Sequence, residues 1–326
     1  MDFQIKILLI SFFITVVLSI IIIPILKKLK VGQIERSDGP QSHLKKQGTP
    51  TMGGIIMILA IIIVSALVSI YCVKNGETEL IKKFLPITFI IIGYGIIGFI
   101  DDFKKMVLKN TTGLKPAFKM IGLLLISVIY VLFLIATQEN ATQTYIPLFK
   151  IYINIPTIIY IPFAIFIILA TTNAVNLTDG VDGLASSVCT IIITLLIIIG
   201  MTLNMGEVSI IGAATVGAVL GFLMFNLYPS KVMMGDTGSL FLGGIISGLA
   251  LYLKVPLIIP IIAIIPVLET VSVIIQVRYF QKTGNRIFKM APLHHHFELS
   301  GWKENKVVMV FSVVTLMACV ITLQLI

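Results

Sequence analysis

Ten apolar runs, at about residues 5–26, 53–73, 84–100, 120–137, 156–175, 187–203, 208–226, 238–254, 256–277 and 306–325, occupy most of this 326-residue chain. A helix needs about 20 residues to cross the hydrocarbon core of a bilayer. Hydrophobic residues make up 57% of the chain and charged residues 12%, against roughly 25% charged in a soluble domain. So few polar groups cannot cover that much apolar surface in water. A disordered chain, which needs high charge and low hydrophobicity, is excluded as well. The sequence therefore predicts an all-α, polytopic integral membrane protein with ten transmembrane helices, in one membrane-embedded domain spanning 1–326. The first run is too long for a signal-peptide core and runs directly into Lys27 and Lys28, so it reads as a retained span. Between the fourth and fifth runs, Thr144 to Ile155 alternates apolar and polar residues, which predicts a small extracytoplasmic β-hairpin.

The net charge of +9 does not point to nucleic acid, because the basic residues lie in short loops between apolar runs. The loops at about 27–52, 101–119, 172–187, 227–237 and 278–306 hold 18 of the 24 lysines and arginines. By the positive-inside rule these loops are cytoplasmic and both termini face outward. Cys72, Cys189 and Cys319 sit in or beside apolar runs, with no metal-ligand or disulfide spacing.

The acidic residues are more telling than the basic ones. Asp101 and Asp102 end the third span with no polar spacer, Asp179 and Asp182 follow the fifth, and Asp236 follows the seventh. Any one aspartate could be a solvated loop residue. Five of them from three loops on one side of the bilayer suit Mg²⁺ and phosphate chemistry, since Mg²⁺ bridges one or two carboxylates to substrate phosphates. Asn176, Asp179 and Asp182 are spaced by three and would share a face if helical, although Asp182 could equally cap the sixth span. Asp236 stands in Met-Gly-Asp-Thr-Gly-Ser-Leu, a turn entering a helix that offers hydroxyls and amides to an anion. His294, His295 and His296 are consecutive. Adjacent side chains rarely chelate one ion, so phosphate binding or proton handling suits them better. The ninth span carries Pro256, Pro260 and Pro266 and then Glu269, the one acid deep in a predicted span. The prolines predict a bend that could open a lipid-facing groove, and a buried glutamate predicts a pairing or functional role.

Taken in order, Gly-Thr-Pro-Thr-Met-Gly-Gly at 48–54, Asp101-Asp102, Asn-Leu-Thr-Asp-Gly-Val-Asp-Gly-Leu at 176–184, Met-Gly-Asp-Thr-Gly-Ser-Leu at 234–240, and Ala-Pro-Leu-His-His-His-Phe-Glu at 291–298 resemble the phospho-N-acetylmuramoyl-pentapeptide transferases of peptidoglycan synthesis. The resemblance covers nearly the whole chain. It implies a bacterial cytoplasmic-membrane enzyme that uses Mg²⁺ to join UDP-N-acetylmuramoyl-pentapeptide to undecaprenyl phosphate, giving lipid I and UMP, and it implies a homodimer. It also implies catalytic work by Asp101, Asp102, Asp236, His295 and His296, with Asp236 on the metal. Substrate contacts are implied for Lys46, Thr51, Asn176, Asp179 and Asp182, on the uridine side of the site, and for Lys119, Asn226, Met233 and His294. In the family a phenylalanine, taken to stack on uracil, commonly stands where this chain has Met233. The nearer rival is a sister transferase acting on another UDP-N-acetylhexosamine. A secondary transporter would place its ionisable residues near the midplane, and here they lie at one face.

Overall fold

The computed structural model describes residues 2–29, 48–106 and 113–326. The elements in chain order are α1 (Asp2–Lys28), α2 (Gly54–Lys74), α3 (Thr78–Met106), α4 (Pro116–Thr137), β1 (Gln143–Ile146), β2 (Ile151–Asn154), α5 (Thr157–Thr178), α6 (Leu184–Thr202), α7 (Gly206–Asn226), α8 (Gly235–Tyr252), α9 (Ile264–Thr283), α10 (Leu293–Glu298) and α11 (Glu304–Leu325). Long helices are the form expected in hydrocarbon, where every backbone polar group must be satisfied within its own segment. The outward faces stay apolar: Phe13, Ile20, Ile121, Phe166 and Met317 are all exposed.

Among the described residues, nine helices are long and apolar enough to cross a membrane, where the sequence predicts ten. The difference falls on the eighth predicted span. It folds as α8, an 18-residue helix that starts Gly-Asp-Thr-Gly-Ser and is buried from Thr237 to Tyr252. Helices α3 and α5 pack along it, with α2 and α6 touching it as well. A helix enclosed by other helices has no lipid face to satisfy, so it can replace bulky apolar residues with the small ones that let backbones approach. Gly98 of α3 and Gly54 of α2 meet α8 in this way. A Cβ on Gly98 would lie 2.3 Å from the Asp236 carbonyl oxygen, and one on Gly54 would lie 2.2 Å from the Gly238 nitrogen.

The ninth predicted span is bent, as its prolines require. A 3₁₀ turn at Pro256–Ile258 and one helical turn at Ile259–Ile262 precede a break at Ala263, after which α9 continues to Thr283. Pro266 has no N–H to give to the preceding turn, and its ring crowds the carbonyl there. The hairpin also forms, antiparallel, with Tyr145 opposite Tyr152. It closes the end of the bundle where α11 finishes, with Tyr145 Oη donating to the Leu325 carbonyl at 3.1 Å. Among the described residues, the loops that carry the predicted site lie at the other end.

These close approaches set a steep penalty on any side chain between α3 and α8. Gly98→Ala should cost about 1–3 kcal/mol or more, because the atom it meets is backbone and cannot turn away. The expected outcome is an unfolding temperature in detergent lowered by about 5 °C, together with loss of turnover. A variant with parent-like stability would mean the two helices are not packed this closely.

Candidate active site

The site is made from helix ends. Asp101 and Asp102 lie in the last two turns of α3, Lys119 in the first turn of α4, Asn176 in the last turn of α5, and Asp236 in the first turn of α8. The two neighbouring aspartates of α3 have different surroundings. Both oxygens of Asp102 are taken up by the start of α8. Oδ1 accepts the Asp236 N–H at 3.1 Å, while Oδ2 accepts the Thr237 N–H at 2.9 Å and the Thr237 hydroxyl at 2.6 Å. First-turn amides have no partner within their own helix, and here a carboxylate from another helix satisfies them. Asp102 is only 4% exposed, so it anchors α8 and presents little to a ligand.

Asp101 turns to the charged part of the site. Its Oδ1 accepts the Leu114 N–H at 2.7 Å. Its Oδ2 receives Lys105 Nζ at 2.8 Å and Lys119 Nζ at 3.3 Å. The same two ammonium groups reach Asp236 Oδ2, at 2.8 Å and 2.9 Å. Two carboxylates and two cations thus share a partly buried corner. Carboxylates held this close would repel and be poorly solvated, and the lysines offset both effects. Asn176 completes the arrangement. Its Nδ2 donates to Asp236 Oδ1 at 2.7 Å and to Ser239 Oγ at 2.8 Å, so it fixes the direction of the Asp236 carboxylate.

The segment at 48–54 is tied to the Asp236 loop through its backbone. Met233 N–H donates to the Pro50 carbonyl at 2.8 Å, and Gly53 and Gly54 donate to Met233 and Met234, each at 2.9 Å. Thr51 is buried, and its Oγ1 and Asp102 Oδ2 both lie beside Gly235, within 2.8 Å of where a Cβ would stand. Met233 is half-buried. Lys46 lies outside the described residues.

Other expected residues are placed differently. Asn176, Asp179 and Asp182 do not share a helical face, because α5 ends at Thr178 and Asp179 already has non-helical backbone angles. Asp182 does not cap α6 either, whose cap is Gly183 with φ +78°. Instead Asp182 cross-links the loops: Oδ2 accepts the Ser230 N–H at 3.0 Å, and its own N–H donates to Glu304 Oε1 at 2.7 Å. Asn226 is buried and ties α7 to its neighbours, accepting from Ser186 Oγ at 2.8 Å and donating to the Val232 carbonyl at 3.0 Å. In α10, His294 is fully buried. His295 Nδ1 is 3.0 Å from Glu298 Oε2, and His296 Nδ1 accepts the Lys289 N–H at 3.1 Å.

Sequence reasoning missed Lys105 and Glu304, and it named Ser239 and Glu298 within their motifs without their partners. Lys105 had a usable signal, since it follows Asp101 by four residues at a helix end. The partners of Ser239 and Glu304 are 63 and 122 residues away, beyond any local pattern.

Comparison with known proteins agrees with this geometry. Residues 84–254 match the family model described as glycosyl transferase family 4. Residues 46–58 match the first signature of the phospho-N-acetylmuramoyl-pentapeptide-transferases. The phospho-N-acetylmuramoyl-pentapeptide-transferase of Clostridium kluyveri is 48% identical over 313 residues, covering 96% of each chain. That of Clostridium botulinum (strain Alaska E43 / Type E3) is 47% identical over 314 residues, 96% of this chain and 94% of the relative. That of Acetivibrio thermocellus is 44% identical over 313 residues, 95% of this chain and 92% of the relative. With that much identity running almost end to end through a bundle that gathers the same motifs at one end, the chain belongs to the phospho-N-acetylmuramoyl-pentapeptide-transferase family.

Proposed function

We propose that this chain transfers phospho-N-acetylmuramoyl-pentapeptide from its UDP carrier to undecaprenyl phosphate at the cytoplasmic face of a bacterial membrane, forming lipid I and UMP. The observation that carries this reading is the pair of ammonium groups shared between Asp101 and Asp236. An oxygen of the lipid phosphate attacks the phosphorus that bears the sugar. The bond to the UMP phosphate breaks, and one phosphoanhydride replaces another. Phosphoryl transfer of this kind asks mainly for positioning and for neutralised oxygens. Lys105 and Lys119 can each exchange a carboxylate oxygen for a phosphate oxygen without moving far.

A divalent cation suits the same corner. Among the described residues no three carboxylate, histidine or cysteine side chains converge to hold a metal. Mg²⁺ does not require such a cage, since it is held by one or two carboxylates together with substrate phosphates and water. Asp236, oriented by Asn176, is the residue suited to hold it, and Asp101 stands across the two lysines. Bound there, Mg²⁺ would neutralise charge on the diphosphate. Little proton chemistry is demanded of the protein, because a phosphate monoester has a second pKa of about 6. Asp102, with both oxygens already accepting hydrogen bonds, is poorly placed to take a proton.

Three outcomes are expected. Asp236→Asn keeps the shape of the side chain and removes its charge. Turnover on a short polyprenyl phosphate should fall at least ~10²-fold, the scale of one preorganised charge contact. Assays across a Mg²⁺ series decide, and near-normal turnover at low Mg²⁺ would rule Asp236 out as the ligand. Asp102→Asn turns an NH₂ toward donors of Thr237 or Asp236, at about 1–3 kcal/mol for the disrupted buried group. Its defect should persist as pH rises from 6 to 9. Full recovery in alkali would instead identify Asp102 as a base that hydroxide or the free phosphate dianion replaces. Met233→Phe supplies a flat ring in place of a flexible thioether. Base–aromatic stacking is worth ~1–3 kcal/mol, so UMP should bind up to about tenfold more tightly by calorimetry, with the lipid substrate's KM unchanged. Equal or weaker UMP binding would mean that Met233 does not face the base.

A further inference from the structure

Glu269 has no part in the chemistry outlined above, yet it is a fully buried carboxylate in α9. A buried charge-bearing group needs partners, and its partners belong to the histidine segment. The His294 N–H donates to Glu269 Oε1 at 3.2 Å and approaches Oε2 at 3.4 Å. The His294 ring is also fully buried, with Nδ1 3.1 Å from Glu269 Oε1, a close contact whose angle falls short of a hydrogen bond. The other edge of the ring meets the loop that carries Asp179 and Asp182. Nε2 has no hydrogen-bond partner among the described residues, and a Cβ on Gly180 would lie 2.2 Å from it. The imidazole therefore fills the space between a carboxylate of the bent helix and the α-carbon of Gly180. On its far side the same loop is tied at Asp182 to Ser230 and Glu304.

We propose that Glu269 and His294 form a buried strut that sets the position of the Asp179–Asp182 loop, which makes both of them positioning residues for the nucleotide substrate. His294 then acts through Gly180 and does not touch the substrate. Glu269 lies in the helix whose proline bend suggests a lipid groove, but its effect falls on the nucleotide. This inference rests on the reading of that loop as the uridine side of the site.

The test is UMP calorimetry and two-substrate kinetics on the full-length protein in detergent. Glu269→Ala should weaken UMP binding and raise the UDP-substrate KM about tenfold, with kcat within threefold and the lipid-phosphate KM unchanged. Glu269→Gln keeps an acceptor for the His294 N–H and should stay within threefold of the parent throughout. Gly180→Ala should weaken UMP binding about tenfold by pushing on the ring. Added to Glu269→Ala it should cost less than a further twofold, because the released ring can yield; contacting residues couple in this way. Should Glu269→Ala not fold, the Gln and Gly180 variants decide: a Gln variant as weak as the Gly180 variant, or a Gly180 variant that binds like the parent, overturns the proposal. A change confined to the lipid-phosphate KM, or fully additive losses in the double variant, overturns it too. If the parent protein binds no UMP, the nucleotide reading itself fails. If the parent binds UMP and none of the variants alters it, only the strut fails.

Discussion

The grip of one carboxylate on the first turn of one helix governs the site. Asp102 accepts three hydrogen bonds from Asp236 and Thr237, and these fix the height at which α8 begins. Gly98 and Gly54 bring the backbones of α3 and α2 against the same turn. From the α3–α8 junction the rest follows. Asp101 is one residue from Asp102 and must face a different way, toward the lysines. Asp236 is the residue whose N–H is held, so its side chain is aimed by the backbone before any ligand arrives. Leaving any donor to Asp102 unpaired in a buried place would cost about 1–3 kcal/mol. In a buried corner that makes the anchor both strong and costly to disturb.

The extent to which this could be read in the sequence depends on how local each cause is. Span length and loop charge are local, and each of the ten apolar runs falls on helical structure, the third extended at both ends and the ninth broken at Ala263. The proline bend was legible for the same reason, since Pro266 acts on its own preceding turn. Helix α8 was legible as a run but not as the enclosed member of the bundle, because enclosure depends on which helices surround it. Asp101, Asp102 and Asp236 stood out because carboxylates directly follow or precede apolar runs. The division of labour between Asp101 and Asp102 could not be read, since it turns on contacts across 13 to 135 residues. Asn226 and Asp182 show the same limit. Their types and places suit a ligand, and in the fold their polar atoms join separate segments of the chain.

Membrane helices leave their last carbonyls and first amides at the interface, where water and hydrocarbon compete to surround them. A site built there has unpaired backbone groups available without unwinding a helix, and this bundle uses two of them together with two loop amides. The Asp236 and Thr237 amides are given to Asp102, the Leu114 amide to Asp101 and the Ser230 amide to Asp182. Each of these carboxylates joins two segments, 13 residues apart for Asp101 and 48 or more for Asp182 and Asp102. Three of the five aspartates gathered at this end therefore hold backbone, and only some of their oxygens remain for chemistry.

That distribution bears on how an anionic substrate pair can enter a corner already containing Asp101 and Asp236. A diphosphate and a lipid phosphate add several negative charges, and in a medium of reduced dielectric their mutual repulsion is large. Lys105 and Lys119 are the local counter-charge, and each already bridges both carboxylates. Both ammonium groups are already engaged by carboxylates, so little of their charge is free to draw in phosphate. Bringing both substrates in then requires further positive charge. In the proposed reaction a divalent ion held by Asp236 would supply it, and each lysine could then turn from carboxylate to phosphate. The need for a metal in this reading thus comes from charge balance at the bilayer surface, before any question of bond polarisation arises.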